Sequence, residues 1–473
     1  MITTKYESVP TRPAPIQLRL PPFPIKSKFL GTMKTASTIP LVLSGALLIV
    51  VHLHADDDEA TKNNSPVEVY ADCHVHLLDF LQNGEFQNAD HKFPGGKYGA
   101  QSATGRYASL PFGERWRRIE ALLESMGRAK VRHALVMGMP FIKKWSANEP
   151  FKRPRYYLDS PSRVKPARDS DVSIAAAIVD YKLHYADDPA KLAQLDQIHP
   201  SLCGFDTTDL GAVDLLIKRI KEFPGVWECV GEVMSRHDDL TNLTTGERPH
   251  ANHPALARVA RFAGEHYLPV TIHHNIAPIS RNGDEVKLPY YLNEFIQLID
   301  YCRVGKGDCK QSTTFIWCHS GISRRIVVDN LPFWINEVLK EYGDQVYIDL
   351  SWVVLQDYVM KDLDTWAELI KRYPNRFMIG SDVVGKVSGI SATLRPYDDL
   401  LRVLPEAVRR KVAHDTFANL MESMASKRAA AGLGEKGIVL ASDYEYSDKA
   451  HVQPSFKVPP FMEPRLVRAA SSN

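Results

Sequence analysis

From residue 67 onward, short apolar runs alternate with stretches in which apolar residues recur every three to four positions. The runs fall at 67–75, 133–139, 173–179, 227–234, 270–274, 314–318, 346–350 and 376–379. Each is rich in Val, Ile, Phe or Ala and lacks clean alternation, the pattern of a strand covered on both faces. Helical spacing marks 115–128, 212–223, 255–265, 292–301, 333–342 and 365–373, and a further helix is predicted at 405–426, with Pro405 suited to a first turn. Strands alternating with helices imply right-handed βαβ units and a parallel sheet. Eight such units predict an α/β fold, a (β/α)8 TIM barrel over 67–426. A doubly wound open sheet is the competing architecture. No Gly-rich loop follows the first run, which counts against a nucleotide-binding version of it.

Two connections are long. Residues 80–113 are polar and rich in Gly and aromatics, and 141–171 are basic and Pro-bearing. Both leave the carboxyl ends of predicted strands, where barrels carry their sites. The tail, 427–473, has few order signals and is expected to wrap the surface or stay mobile.

The chain ahead of the barrel reads differently. Residues 1–32 hold Pro10, Pro13, Pro15, Pro21, Pro22 and Pro24 with no helical or strand period, and are expected to be a disordered leader, or to lie ahead of a true start at Met33. Lys34 then precedes an apolar stretch over 39–51, followed by His52-Leu53-His54-Ala55 and an acidic break at Asp56. A basic start, an apolar stretch of this length and a small residue before a polar break predict a signal peptide at about 33–55. The stretch falls short of the roughly 20 apolar residues that a membrane span needs. An exported protein, periplasmic or secreted, with no stable membrane span after cleavage is the expectation; an uncleaved anchor is the alternative.

Composition adds bounds. The chain is 44% hydrophobic and 24% charged, as a soluble globular protein is, and its net charge is +2. Six of its cations lie in residues 1–55 against Glu7 alone, so the body is mildly acidic. Bulk charge gives no sign of nucleic-acid binding. Six cysteines are too few for a disulfide scaffold and match no zinc-finger spacing. Cys302 and Cys309 flank a short loop and could bridge in an exported protein.

The sharpest chemical feature is Asp72-Cys73-His74-Val75-His76, closing the first run. Side chains at i and i+2 share a strand face, so His74 and His76 project together and can converge on one cation. Alone, a His-x-His pair is a weak signal. Further groups lie where other runs stop: Glu232 on the fourth, His273 and His274 on the fifth, His319 after the sixth and Asp382 after the eighth. Histidines placed by chance scatter onto loops and helices, as His250, His253 and His414 do. Only one of His273 and His274 can face a barrel axis, and parity alone leaves the choice open. Asp349 ends the seventh run, where it can bind substrate, orient a ligand histidine or make a structural hydrogen bond. Arg236 and His237 follow the fourth run and could meet an anionic substrate, although a solvated loop is the blander reading. The basic cluster Lys143, Lys144, Lys152, Arg153 and Arg155 divides the same way, since charge runs are mostly solvated surface.

Together the strand-one His-x-His, the Leu268-Pro269-Val270-Thr271-Ile272-His273 run, the His319-Ser320-Gly321 turn and the Arg376-Phe377-Met378-Ile379-Gly380-Ser381-Asp382 run resemble the amidohydrolase superfamily. Within it they look most like the amidohydrolase-related branch that includes amino-carboxymuconate-semialdehyde decarboxylase. The likeness covers about 67–424. It implies His74, His76 and His273 as metal ligands, with Asp382 as both ligand and proton acceptor. It implies His319 as the histidine acting on substrate beside the metal, and Glu232 as a bridge between two metals in some members. It favours His273 over His274.

The resemblance implies one or two divalent cations, with zinc expected and manganese or iron compatible with the same donors. Zinc on three or four N/O ligands keeps a position for water and lowers its pKa toward neutral. The expected function is a metal-dependent hydrolase cleaving a C–N or C–O bond of a small molecule. A metal-dependent non-oxidative decarboxylase of a carboxylic acid is the alternative, and a non-catalytic binding protein the second. The expected partner is a small-molecule substrate, with homo-oligomerisation left open.

Overall fold

The computed structural model describes residues 65–78, 115–140, 165–237, 248–280, 284–306 and 309–447, all within one compact unit, Asn63–Asn473. The predicted leader and signal peptide, the basic cluster and most of both long connections lie outside the described residues.

Nine strands run parallel. They are β1 Tyr70–His76, β2 Val131–Met137, β3 Ile198–Leu202, β4 Cys229–Arg236, β5 Val270–His274, β6 Phe315–Trp317, β7 Val346–Asp349, β8 Phe377–Met378 and β9 Val383–Val384. Neighbours pair in chain order from β1 to β8, and β9 pairs with β1. β8 and β9 are two pieces of one segment: between them Cys73 N donates to Ile379 O (3.0 Å) and Asp382 N to His74 O (2.8 Å). The ladder thus returns to β1 and closes an eight-stranded barrel.

One helix of ten or more residues follows each barrel strand. These are α1 Trp116–Arg128, α2 Lys165–His184, α3 Ala212–Glu222, α4 Pro254–Glu265, α5 Leu292–Tyr301, α6 Leu331–Tyr342, α7 Leu363–Arg372 and α8 Thr416–Ala430. Helix α1 buries Ile119, Leu122, Leu123 and Met126, the i, i+3, i+4, i+7 stripe of a one-sided helix. Each such side chain moved out of water contributes about 1.5–3 kcal/mol. The (β/α)8 fold class is therefore as expected. No helix among the described residues is long and apolar enough to cross a membrane.

One strand was misplaced by the pattern. The run 173–179 lies inside α2, and the third strand is Ile198-His199-Pro200-Ser201-Leu202. Most described residues of α2 from Ser170 to Tyr181 are buried, which erases the polar face that makes a helix legible. β3 carries His, Pro and Ser in five residues, and Pro argues against an interior strand. All five are nevertheless buried between β2 and β4. The predicted last helix is also divided: a short turn Glu406–Arg410 and a wide turn Lys411–Asp415 precede α8.

Helix α8 plugs the barrel floor. Its Phe417, Leu420, Met421 and Met424 pack on Ala71, Cys73, Leu135, Met137, Cys203, Cys229, Ile316 and Met378. The following segment is pinned to the start of β4, where Gly225 N donates to Ile438 O (2.9 Å) and Ile438 N to Trp227 O (2.7 Å). Buried Arg428 donates to Tyr267 O (2.7 Å) and to the Lys436 carbonyl, 3.8 Å from the Glu228 carboxylate. All six cysteines are buried and unbridged, Cys302 and Cys309 included. With the floor closed, the opposite mouth is left for chemistry.

Candidate metal centre

A bulge in β1 aims the site. Asp72 pairs with Ala134 and Val75 with Val136, so three steps on β1 meet two on β2. The extra residue changes the side-chain parity. Ala71 and Cys73 therefore sit in the floor cluster beneath α8, whereas Val75 joins the outer core and His74 and His76 turn inward.

Both histidines are fully or almost fully buried, and each has one nitrogen committed. His74 Nδ1 donates to Asp349 Oδ2 (2.9 Å) and His76 Nδ1 to the Gly138 carbonyl (2.7 Å). Their Nε2 atoms then face one another at 3.2 Å. Two imidazole lone pairs at that distance repel unless a proton or a cation lies between them. Asp382 Oδ1 stands 3.5 Å from the first Nε2 and 3.6 Å from the second, and Glu232 Oε2 4.0 and 3.4 Å. Binding of the outer nitrogen by a carboxylate or carbonyl is the usual way a ligand histidine is oriented.

Left-handed backbone recurs around these groups. Asp382 (φ 48°), His319 (φ 52°), Ser320 (φ 53°) and Trp352 (φ 63°) all lie just beyond strand ends. Such conformations cost about 1–3 kcal/mol each and cluster at functional sites. At Gly321 (φ 78°) a side chain would collide with Trp317 and Ile276, so only glycine completes the turn after His319.

The electrostatics favour positive charge at the centre of this group. Burial alone would lower the pKa of His74, but the fields of Asp382, Asp349 and Glu232 raise it to about 10. Glu232 is held well below the usual carboxylate range: burial is outweighed by hydrogen bonds from His273, His319 and His76. Asp349 sits at about 2, because the His74 contacts outweigh its burial. Asp72 goes the other way, to about 6, with burial dominant over its bonds from Ser381 and His74.

Three overlapping groups have ligand atoms all within 4.8 Å: His74 with His76 and Asp382, His74 with Glu232 and His319, and His74 with Cys318 and Asp349. The last is a poor cation site, since burial holds the Cys318 thiol protonated. The first joins three residues singled out in the sequence, and Glu232 adjoins it. His319 directs Nδ1 at Ser351 Oγ (2.8 Å) and turns Nε2 toward Glu232 Oε1 (3.7 Å).

His273 is placed one step away. Its Nδ1 donates to Glu232 Oε1 (2.9 Å), its Nε2 lies 3.2 Å from Asn275 Oδ1, and it joins none of the three groups. His274 points out of the barrel: its ring bonds Ser235 Oγ (2.8 Å) and the Tyr291 carbonyl (2.7 Å), and burial lowers its pKa to about 4. Asp349 serves His74. Arg236 is paired with Glu294 through two contacts (2.9 and 2.5 Å) and stacked on Tyr291.

Sequence reasoning missed Ser351, the Gly138 carbonyl and Asn275 as supports. Ser351 stands in the Asp349-Leu350-Ser351 run and could have been found; a backbone carbonyl leaves no residue-type signal.

No family model and no curated protein matches the chain. Solved structures do, at low identity. An amidohydrolase II matches over 74% of this chain and 99% of its own, at 16% identity and TM-score 0.38. 2,6-Dihydroxybenzoate decarboxylase from Rhizobium matches over 75% and 98%, at 12% identity and TM-score 0.39. 5-Methylcytosine deaminase from Klebsiella pneumoniae matches over 77% and 76%, at 12% identity and TM-score 0.39.

Proposed function

We propose that the chain is a metal-dependent enzyme of the amidohydrolase type, a hydrolase acting on a C–N or C–O bond of a small molecule. The observation that carries this is the facing pair of Nε2 atoms of His74 and His76, with Asp382 alongside. The donor set fits a divalent cation: two imidazoles whose Nδ1–H groups are committed, so that an ion takes the place of the proton between their Nε2 atoms, and one or two carboxylates, a set zinc takes readily and manganese or iron tolerates.

His74, His76 and Asp382 would hold the cation, with Glu232 adjoining and bonded to His273. When bound, such an ion supplies an activated water and a Lewis-acid contact for a substrate carbonyl. Asp382, with 13% of its side chain exposed, is the carboxylate open to the mouth. It accepts the proton of an attacking water at Oδ2 or Oδ1 and returns it to the leaving group. His319, its Nδ1–H spent on Ser351, keeps Nε2 inward, where the doubly protonated ring donates to a substrate oxygen as charge builds on it. An exported location is part of the proposal and rests on the predicted signal sequence alone.

Decarboxylation on the same residues is the second reading. Asp382 and His319 could as well protonate a carbon that loses carbon dioxide. A panel of esters, lactones and amides run beside aromatic carboxylic acids, with carbon dioxide detection, separates the two. Hydrolysis of any panel member without gas release supports the first reading, and gas release from an acid replaces it with the second.

A further inference from the structure

The loops after β6 and β7 place an indole and a guanidinium at the mouth, and the reading above uses neither. Trp352 directly follows Ser351, the residue that fixes His319. Its ring centroid lies 5.0 Å from that of His319, 6.1 Å from His237 and 6.2 Å from His273. Arg324 stacks on it, with the guanidinium carbon 4.8 Å from the indole centroid.

Arg324 is exposed and, among the described residues, makes no hydrogen bond or ion pair. Within them its five N–H donors are unspent. The loop that carries it is tied to the site: Ile322 N donates to His319 O (3.1 Å) and Ser323 Oγ to Asn275 Oδ1 (3.0 Å), itself beside His273. Arg236, which ends β4, is already neutralised by Glu294. A stacked Arg keeps its fork in a fixed plane, which suits a carboxylate better than a flexible ammonium does.

We infer that Arg324, held flat on Trp352, recognises a carboxylate on the substrate whose planar body lies against the indole. The substrate class is a small planar carboxylate. The recognised carboxylate lies on the Trp352 side of the site and is distinct from the group that reacts at His74, His76 and Asp382. The inference rests on the metal-enzyme reading for where the reacting group lies, and its test needs no turnover.

The test is calorimetric titration of metal-loaded protein with benzoate and with its neutral isostere benzamide, for the wild type, Arg324→Gln and Arg324→Lys. The expected result is that Arg324→Gln weakens benzoate about tenfold or more, as loss of a charge-assisted bond implies, and leaves benzamide unchanged. Arg324→Lys should fall between. Equal benzoate affinity in wild type and Arg324→Gln, or no preference of the wild type for benzoate over benzamide, overturns the inference. Arg324-dependent benzoate binding in a protein that takes up no metal leaves the inference standing and removes the metal-enzyme reading.

Discussion

His74 Nδ1 donates to Asp349 Oδ2 at 2.9 Å, and that bond decides which nitrogen of His74 faces His76. Asp349 in turn accepts from Ser351 N (2.7 Å) and Ser351 Oγ (2.8 Å), so its own position is fixed by the next turn of chain. Asp349→Asn keeps the shape but removes the charge that orients the ring. Metal affinity should fall about 10–100-fold, the usual effect of losing such a partner. Competition with a chromogenic chelator measures it, and an unchanged affinity would deny Asp349 this role.

Asp382 differs from Asp349 in being reachable from the mouth. Asp382→Asn retains an oxygen donor but no basic carboxylate. Turnover should drop about 10²–10⁴-fold, the range for removal of a general base, while most of the metal stays bound. Activity within a few-fold of wild type would move the proton transfer to another residue.

At the barrel floor, Arg428 is fully buried beside Glu228, which is itself nearly inaccessible. Arg428→Met should cost about 3–5 kcal/mol, because it strands a buried carboxylate. Denaturant unfolding reads this directly. A loss below about 1 kcal/mol, the scale of an exposed pair, would mean that Lys436, 3.9 Å from Glu228, takes over.

The same floor gives a pH dependence. His133 Nδ1 and His199 Nε2 lie 3.1 Å apart, and His199 Nδ1 donates to Glu228 (2.8 Å), with His414 and Lys436 also facing the group. Burial first, then His199, His414 and Lys436, lower the pKa of His133 to about 4, while Glu228 acts weakly the other way. The folded state thus binds this proton later than the unfolded chain, whose histidines titrate near 6.5. Its stability contribution is full above about pH 6.5 and is lost as pH falls toward 4. Melting temperatures from pH 7 to 4 should fall less steeply for His133→Gln than for the wild type. Parallel curves would contradict the assignment.

Much of this was legible in the chain because barrel strands announce themselves as apolar runs and site groups fall where those runs stop. The fifth run matched β5 Val270–His274 residue for residue. The third did not, because buried polar β3 looks like a loop and buried α2 looks like a strand. The convergence of His74, His76 and Asp382 could be anticipated from strand ends. The separation of His273 from that group could not, because it depends on Glu232 and Asn275 reaching its ring. Arg324 and Trp352 come from adjacent loops, and their stacking has no signature in residue spacing.

A cation held between His74 and His76 is read out by metal content after zinc loading and desalting, for the wild type and His76→Ala. About one to two equivalents are expected in the wild type, as in sites of this donor set, and near-complete loss in the folded variant. A wild type that stays metal-free, or a His76→Ala protein that keeps the full complement, would contradict it.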